Sequence, residues 1–195
     1  MSHRFDKDEM ARLMEESREE TFKLFDIVIS EADLRRPPAE GFRPILWHMG
    51  HVGAFEHYWL LQRMKGEPTL SEAYDAIFDP IKTPREDANN LPPIDEIKSY
   101  LEKVRRAALK FLDSAPVTSD DPMLRDGYVF NLVLEHEYQH QETLAYLLQL
   151  LDPELKRNDE RGTMNDEQKI NSSFGEPRGT HHRWVAHRSS FKKRP

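Results

Sequence analysis

Cysteine is absent from the 195 residues. Its absence excludes disulfides, thiolate metal sites and a cysteine nucleophile. No apolar run approaches the roughly 18 residues needed to span a membrane. The opening stretch MSHRFDKDEM is rich in charge and does not read as a signal peptide. Basic residues are outnumbered, with 28 Lys and Arg against 35 Asp and Glu, giving a net charge of −7. That balance argues against a general nucleic-acid-binding role. The expectation is a cytoplasmic chain, long enough for one domain with a proper core.

Strand patterns are missing too, and four stretches read as helix. The first runs from about Asp6 to Ile29. Met10, Leu13, Met14, Leu24, Phe25 and Val28 share a face there, with Ser17 and Thr21 between them. Pro37 and Pro38 punctuate the stretch between the first helix and the second. The second opens at Arg43-Pro44, with proline in the first turn. It continues through ILWHMGHVGAFEHYWLLQRMK to a stop at Gly66. Trp47, His48, His51, Ala54, Phe55 and Tyr58 fall on one side of it. The third begins near Ile94 and carries a stripe of Ile97, Leu101, Val104, Ala108 and Phe111. The fourth spans about Gly127 to Leu151.

This pattern predicts an all-α four-helix bundle over residues 1–152, with a long connection between its second and third helices. Such bundles build metal sites from side chains on facing helices. The connection, EPTLSEAYDAIFDPIKTPREDANNLPP, is long for a compact domain, and connections of this kind are often functional. A short helix is expected within it at 71–77. Residues 153–195 are polar and end basic at Arg183, Arg188, Lys192, Lys193 and Arg194. They read as a partly disordered tail.

The histidines carry the chemistry. His3, His181, His182 and His187 lie near the ends and read as incidental, and His57 as surface or structural. His136 and His140 are four apart, so their rings lie about 40° apart and one turn along a helix. That spacing lets two imidazoles bind one ion. Val129, Leu132, Val133, Leu144, Leu147 and Leu151 share their face, so both rings are expected to point into the core. Buried polar rings are costly, and a bound metal removes much of that cost. In WHMGH, His48 and His51 are three apart and either can face the same core. Gly50 and Gly53 remove bulk beside His51, as close packing or a ligand would require.

HEYQH, residues 136–140, also matches the HExxH signature of zinc peptidases, in which the glutamate activates water. The extension HExxHxxGxxH fails, with Thr143 and Tyr146 in the glycine and last histidine positions. A downstream carboxylate ligand would have to be Glu154, Glu160 or Glu167, in a stretch with little core-forming capacity. Nothing supplies the sheet that aligns a peptide substrate. The peptidase reading is therefore set aside, with Glu137 left as a potential acceptor behind the ligands.

The phrases RPILWHMGHVGAFEHYWLL, FDPIKTPRED and FNLVLEHEYQHQETLAYLLQLL resemble the N-terminal domain of the ergothioneine-biosynthesis sulfoxide synthases. That domain belongs to the DinB-like superfamily of metal-binding four-helix bundles, and the resemblance covers roughly residues 8–151. It implies one iron(II) held by His51, His136 and His140. It implies that Gln139 contacts a histidine-derived substrate and that Arg85 helps bind a thiol substrate. The implied reaction is oxidative C–S bond formation between a thiol and the imidazole of an N-methylated histidine. Three neutral imidazoles would leave the full +2 charge and up to three open positions for a thiolate and dioxygen.

The full enzymes of that family carry a second domain of the formylglycine-generating-enzyme type, which residues 153–195 do not resemble. Three expectations are compatible with this difference. The chain is the metal-binding half of such an oxidoreductase, partnered by a separate domain. Alternatively, it is a zinc- or nickel-dependent DinB-like thiol transferase or hydrolase, since zinc activates a thiol by lowering its pKa. Or it is a non-catalytic, metal-stabilised bundle that binds a partner. Small-molecule substrates are expected for the first two, and a homodimer is compatible with all three.

Overall fold

Asp6 starts the first helix of the computed structural model, which describes residues 5–84 and 90–157. The expectations for Arg85 and for the tail beyond residue 157 lie outside those residues. The Asp6 carboxylate accepts from the backbone N–H groups of Asp8 and Glu9 at 3.0 and 3.2 Å. It thereby satisfies donors that the first turn leaves free. Helix α1 runs Lys7–Asp26 and buries Met10, Met14, Ser17, Arg18, Thr21 and Phe25. These positions recur every three or four residues, the spacing of one helix face. The short α2, Glu31–Leu34, is capped by Ser30 and is not legible as a helix in the sequence.

Helix α3, Ile45–Glu56, follows Pro44, which sits at its N-cap rather than inside the first turn. Its backbone continues as a π-helix, His57–Met64. Gly66, at φ +73°, ends that run in the left-handed conformation glycine tolerates. Ser71 caps α4, Glu72–Ile77, in the stretch where the sequence predicts a short helix. Helix α5 is Ile94–Ser114 and α6 is Tyr128–Leu150. Helix α1 packs on α6 and α5, and α3 packs on α5 and α6. Among the described residues no strand forms; one isolated antiparallel bridge joins Val28 to Lys156. The fold is an all-α helical bundle, as the amphipathic pattern predicts. No described helix is long and apolar enough to cross a membrane.

Met14, Leu46, Leu101, Val104, Ala108, Phe130 and Leu144 fill the interior. Each large side chain there contributes about 1.5–3 kcal/mol of burial. The interior is not wholly apolar. Arg18, Glu56, Arg105 and Glu137 are all buried, one from each of the four long helices. Arg18 donates from Nε to Glu137 at 2.7 Å and from Nη2 to Glu56 at 2.8 Å. Arg105 donates from Nε to Glu56 at 2.7 Å and from Nη2 to Glu137 at 2.8 Å. Arg105 also donates to the Met14 carbonyl, and the Thr21 hydroxyl donates to Glu137 at 3.1 Å. Two positive and two negative charges cancel, as buried charges must.

Candidate metal centre

His51 comes from α3, and His136 and His140 from successive turns of α6. One ring nitrogen from each lies within 4.8 Å of the other two. The ring centroids are 5.1 Å apart for His51–His136, 4.9 Å for His51–His140 and 4.6 Å for His136–His140.

The neighbours fix which nitrogens remain available. His51 Nδ1 lies 2.7 Å from the Phe78 carbonyl oxygen. A carbonyl only accepts, so Nδ1 carries the proton and Nε2 keeps a free lone pair. His140 Nδ1 lies 3.1 Å from His48 Nδ1; with His140 as the donor, its Nε2 keeps the lone pair a metal would need. Phe55 stacks on the His136 ring at 3.6 Å, and Trp47 stacks on His51 at 4.5 Å. Outer partners of this kind set the orientation of metal-binding imidazoles. Burial pushes His48, His136 and His140 down to about 3 and lowers His51 too, so all four rings are neutral near pH 7. Neutral imidazole is the ligating form. Three converging nitrogens of one chemical type can hold a metal ion.

The spacing leaves His48 and His51 equivalent, and the structure separates them. His51 joins the group, while His48 stands behind His140. The two glycines are also explained. A Cβ on Gly53 would meet Leu101 of α5 at 3.0 Å, and one on Gly50 would meet the Phe78 ring at 2.1 Å. Close packing therefore explains both. Replacing Gly50 with alanine should displace Phe78 and with it the carbonyl that orients His51. We expect a loss of about 1–3 kcal/mol in a thermal melt and metal binding at least ~10-fold weaker in a titration.

The phase of α6 differs from the expectation. Its core-facing side is centred on Glu137, flanked by Val133, Leu134, Leu144 and Leu148. His136 and His140 sit on the shoulder of that side and are half-buried. His136 opens, with His51, toward a cleft of about 600 Å³ rather than into the apolar core. Tyr58, expected on the buried side of its helix, is 45% exposed and lines this cleft. Trp59, Gln62, Asp75 and Asp79 add to the wall. The long connection is folded back to form part of it. Arg43 donates to the carbonyls of Pro80 and Thr83 at 3.1 and 2.7 Å, and Trp47 donates to Ile77 at 2.9 Å.

Three further positions differ in their surroundings. Gln139 is exposed on α6 and does not line the cleft. Of the two readings for His57, surface or structural, its full burial fits the second, with Nδ1 3.2 Å from the Gln62 amide nitrogen. Glu137 is not behind the ligands: both its oxygens are taken by Arg18, Arg105 and Thr21. Burial alone would raise its carboxyl, but the two guanidinium groups outweigh that and hold it below the usual range. It is not free to activate a water, which removes the hydrolytic role of the HExxH glutamate.

Residues 13–144 match the sequence model of the DinB superfamily. The chain belongs to the DinB superfamily. This DinB chain is also similar to two curated proteins named hercynine oxygenase. The one from Mycolicibacterium smegmatis is 34% identical over 140 residues, covering 69% of this chain and 30% of that protein. The one from Mycolicibacterium thermoresistibile is 31% identical over 148 residues, covering 73% of this chain and 31% of that protein. The DinB chain thus spans about a third of the length of the curated relatives it matches.

Proposed function

We propose that this bundle is the metal-binding half of a non-haem iron(II)-dependent oxidoreductase of the ergothioneine-synthase type. His51, His136 and His140 are its ligands, and the reaction is oxidative C–S bond formation. The observation that carries the reading is the three-histidine cluster with its outer partners already in place, in a chain similar to hercynine oxygenases. Iron(II), when bound, supplies a redox-active centre with positions for a thiolate and dioxygen.

The chain's own residues would do the rest. The Phe78 carbonyl holds His51 in the tautomer that offers Nε2, and His48 would do the same for His140 by accepting from its Nδ1. Phe55 and Trp47 hold the rings flat against apolar surface. The cleft beside His51 and His136 admits small molecules. The family resemblance would give the thiol to Arg85 and the histidine-derived substrate to Gln139, which lies outside that cleft and would meet it from the exposed side of α6, where a separate formylglycine-generating-enzyme-like domain would close over it. Residues 153–195 would form a tail to the 1–152 bundle, and the setting would be cytoplasmic. A homodimer is compatible with this arrangement.

The same three-histidine cluster in a DinB bundle also fits a second reading, a zinc- or nickel-dependent thiol transferase or hydrolase. Anaerobic purification and elemental analysis separate the two. Iron at about one per chain supports the first, and zinc or nickel supports the second. Oxygen consumption with a thiol plus trimethylhistidine, and the partner domain added in trans, then tests turnover. An iron-loaded sample that consumes no oxygen under those conditions rules out the oxidoreductase.

A further inference from the structure

We propose that Arg18 and Arg105 are positioning residues for the metal centre: together they clamp the two ligand-bearing helices at a fixed separation. The proposal rests on the reading of the three histidines as a metal centre.

The charges of the buried quartet are sorted by helix. Helices α3 and α6, which carry the histidines, each contribute a glutamate. Helices α1 and α5, which carry none, each contribute an arginine. The two carboxylates repel, and among the described residues the donors they share are the two arginines. Arg18 reaches both, at 2.7 Å to Glu137 and 2.8 Å to Glu56. Arg105 reaches both from the other side, at 2.7 Å to Glu56 and 2.8 Å to Glu137. Each guanidinium is a rigid planar fork, so bridging two carboxylates fixes their spacing as well as balancing their charge.

That spacing is transmitted directly. Glu137 is the residue after His136, and Glu56 lies five residues beyond His51, about 7.5 Å along the helix. Rotation or sliding of α6 against α3 that moved the histidines apart would also strain or break the bridges. Stability alone does not call for this arrangement, because well-packed apolar side chains often serve as well as buried ion pairs. Geometry does call for it: ligands from separate helices must converge on one point.

The test uses metal-free protein titrated with Co(II) against a competing chelator, with the visible spectrum recorded alongside. Arg105→Lys keeps the charge and loses the fork. Cobalt affinity is expected to fall by about 10–100-fold, the usual cost of losing an outer partner, with a shifted visible band. Leu112→Ala, a buried position on α5 outside the quartet, should lower Tm but leave affinity and spectrum unchanged. If Arg105→Lys does not fold, Arg18→Lys asks the same question from the other side. Wild-type affinity and spectrum in these lysine variants overturn the clamp, as does an equal loss of cobalt in Leu112→Ala. A wild-type protein that binds no cobalt instead sinks the metal-centre reading, and the clamp with it.

Discussion

Replacing His136 with alanine should abolish metal binding while leaving the bundle folded. The ring supplies one of the three imidazole nitrogens that converge among the described residues, and a two-histidine remnant keeps too few ligands for tight binding. The loss should exceed the upper end of what outer partners cost, more than about 100-fold. Elemental analysis of purified variant and wild type checks it, with helical circular dichroism as the control for folding. The fold should survive because His136 is half-buried on the shoulder of α6, not at its core-facing centre. Unchanged metal content in this variant would remove His136 from the ligand set.

The largest effect on stability is expected one residue away. Glu137→Gln keeps the shape of the side chain but removes one of two negative charges facing Arg18 and Arg105. Breaking a buried ion-pair group in this way leaves an uncompensated positive charge in the interior, at a cost of about 3–5 kcal/mol. For a domain of this size that is a fall in Tm of about 6–20 °C. Thermal melts of the metal-free proteins measure it without interference from the ion. A peptidase would give the opposite pattern, lost hydrolysis with intact stability, because its glutamate faces water and substrate. A melt within a degree or so of wild type would contradict the buried quartet.

Much of the fold is legible in the sequence because amphipathic periodicity is strong here. Ile97, Leu101, Val104 and Ala108 mark α5 without ambiguity, and α1, α3 and α6 are nearly as clear. The four-residue step between His136 and His140 also fixes their common side. Three things are not legible, each for a physical reason. His48 and His51 cannot be separated by spacing, because the deciding partner of His51 is the backbone carbonyl of Phe78. No side-chain pattern marks a carbonyl, and the long connection that delivers it has no periodicity.

The apolar pattern of α6 points a little off phase, since the residues Val129 through Leu151 cover a broad arc. The arc's true centre is a charged residue. The quartet itself is hidden for a related reason. One arginine or glutamate per helix looks like ordinary solvated charge until the four helices are brought together. Arg18 between Ser17 and Thr21, inside the buried stripe of α1, is the nearest thing to a signal.

The placement of His51 and His136 at the edge of a cleft, with His140 beside them, has a consequence for how the protein is assembled. The interior is already closed by apolar side chains and four self-neutralising charges, so folding need not wait for an ion. A cation arriving later meets a finished scaffold with its donors preset, and can leave it again the same way. Loading and exchange are then matters of supply and access through the open side, not of refolding.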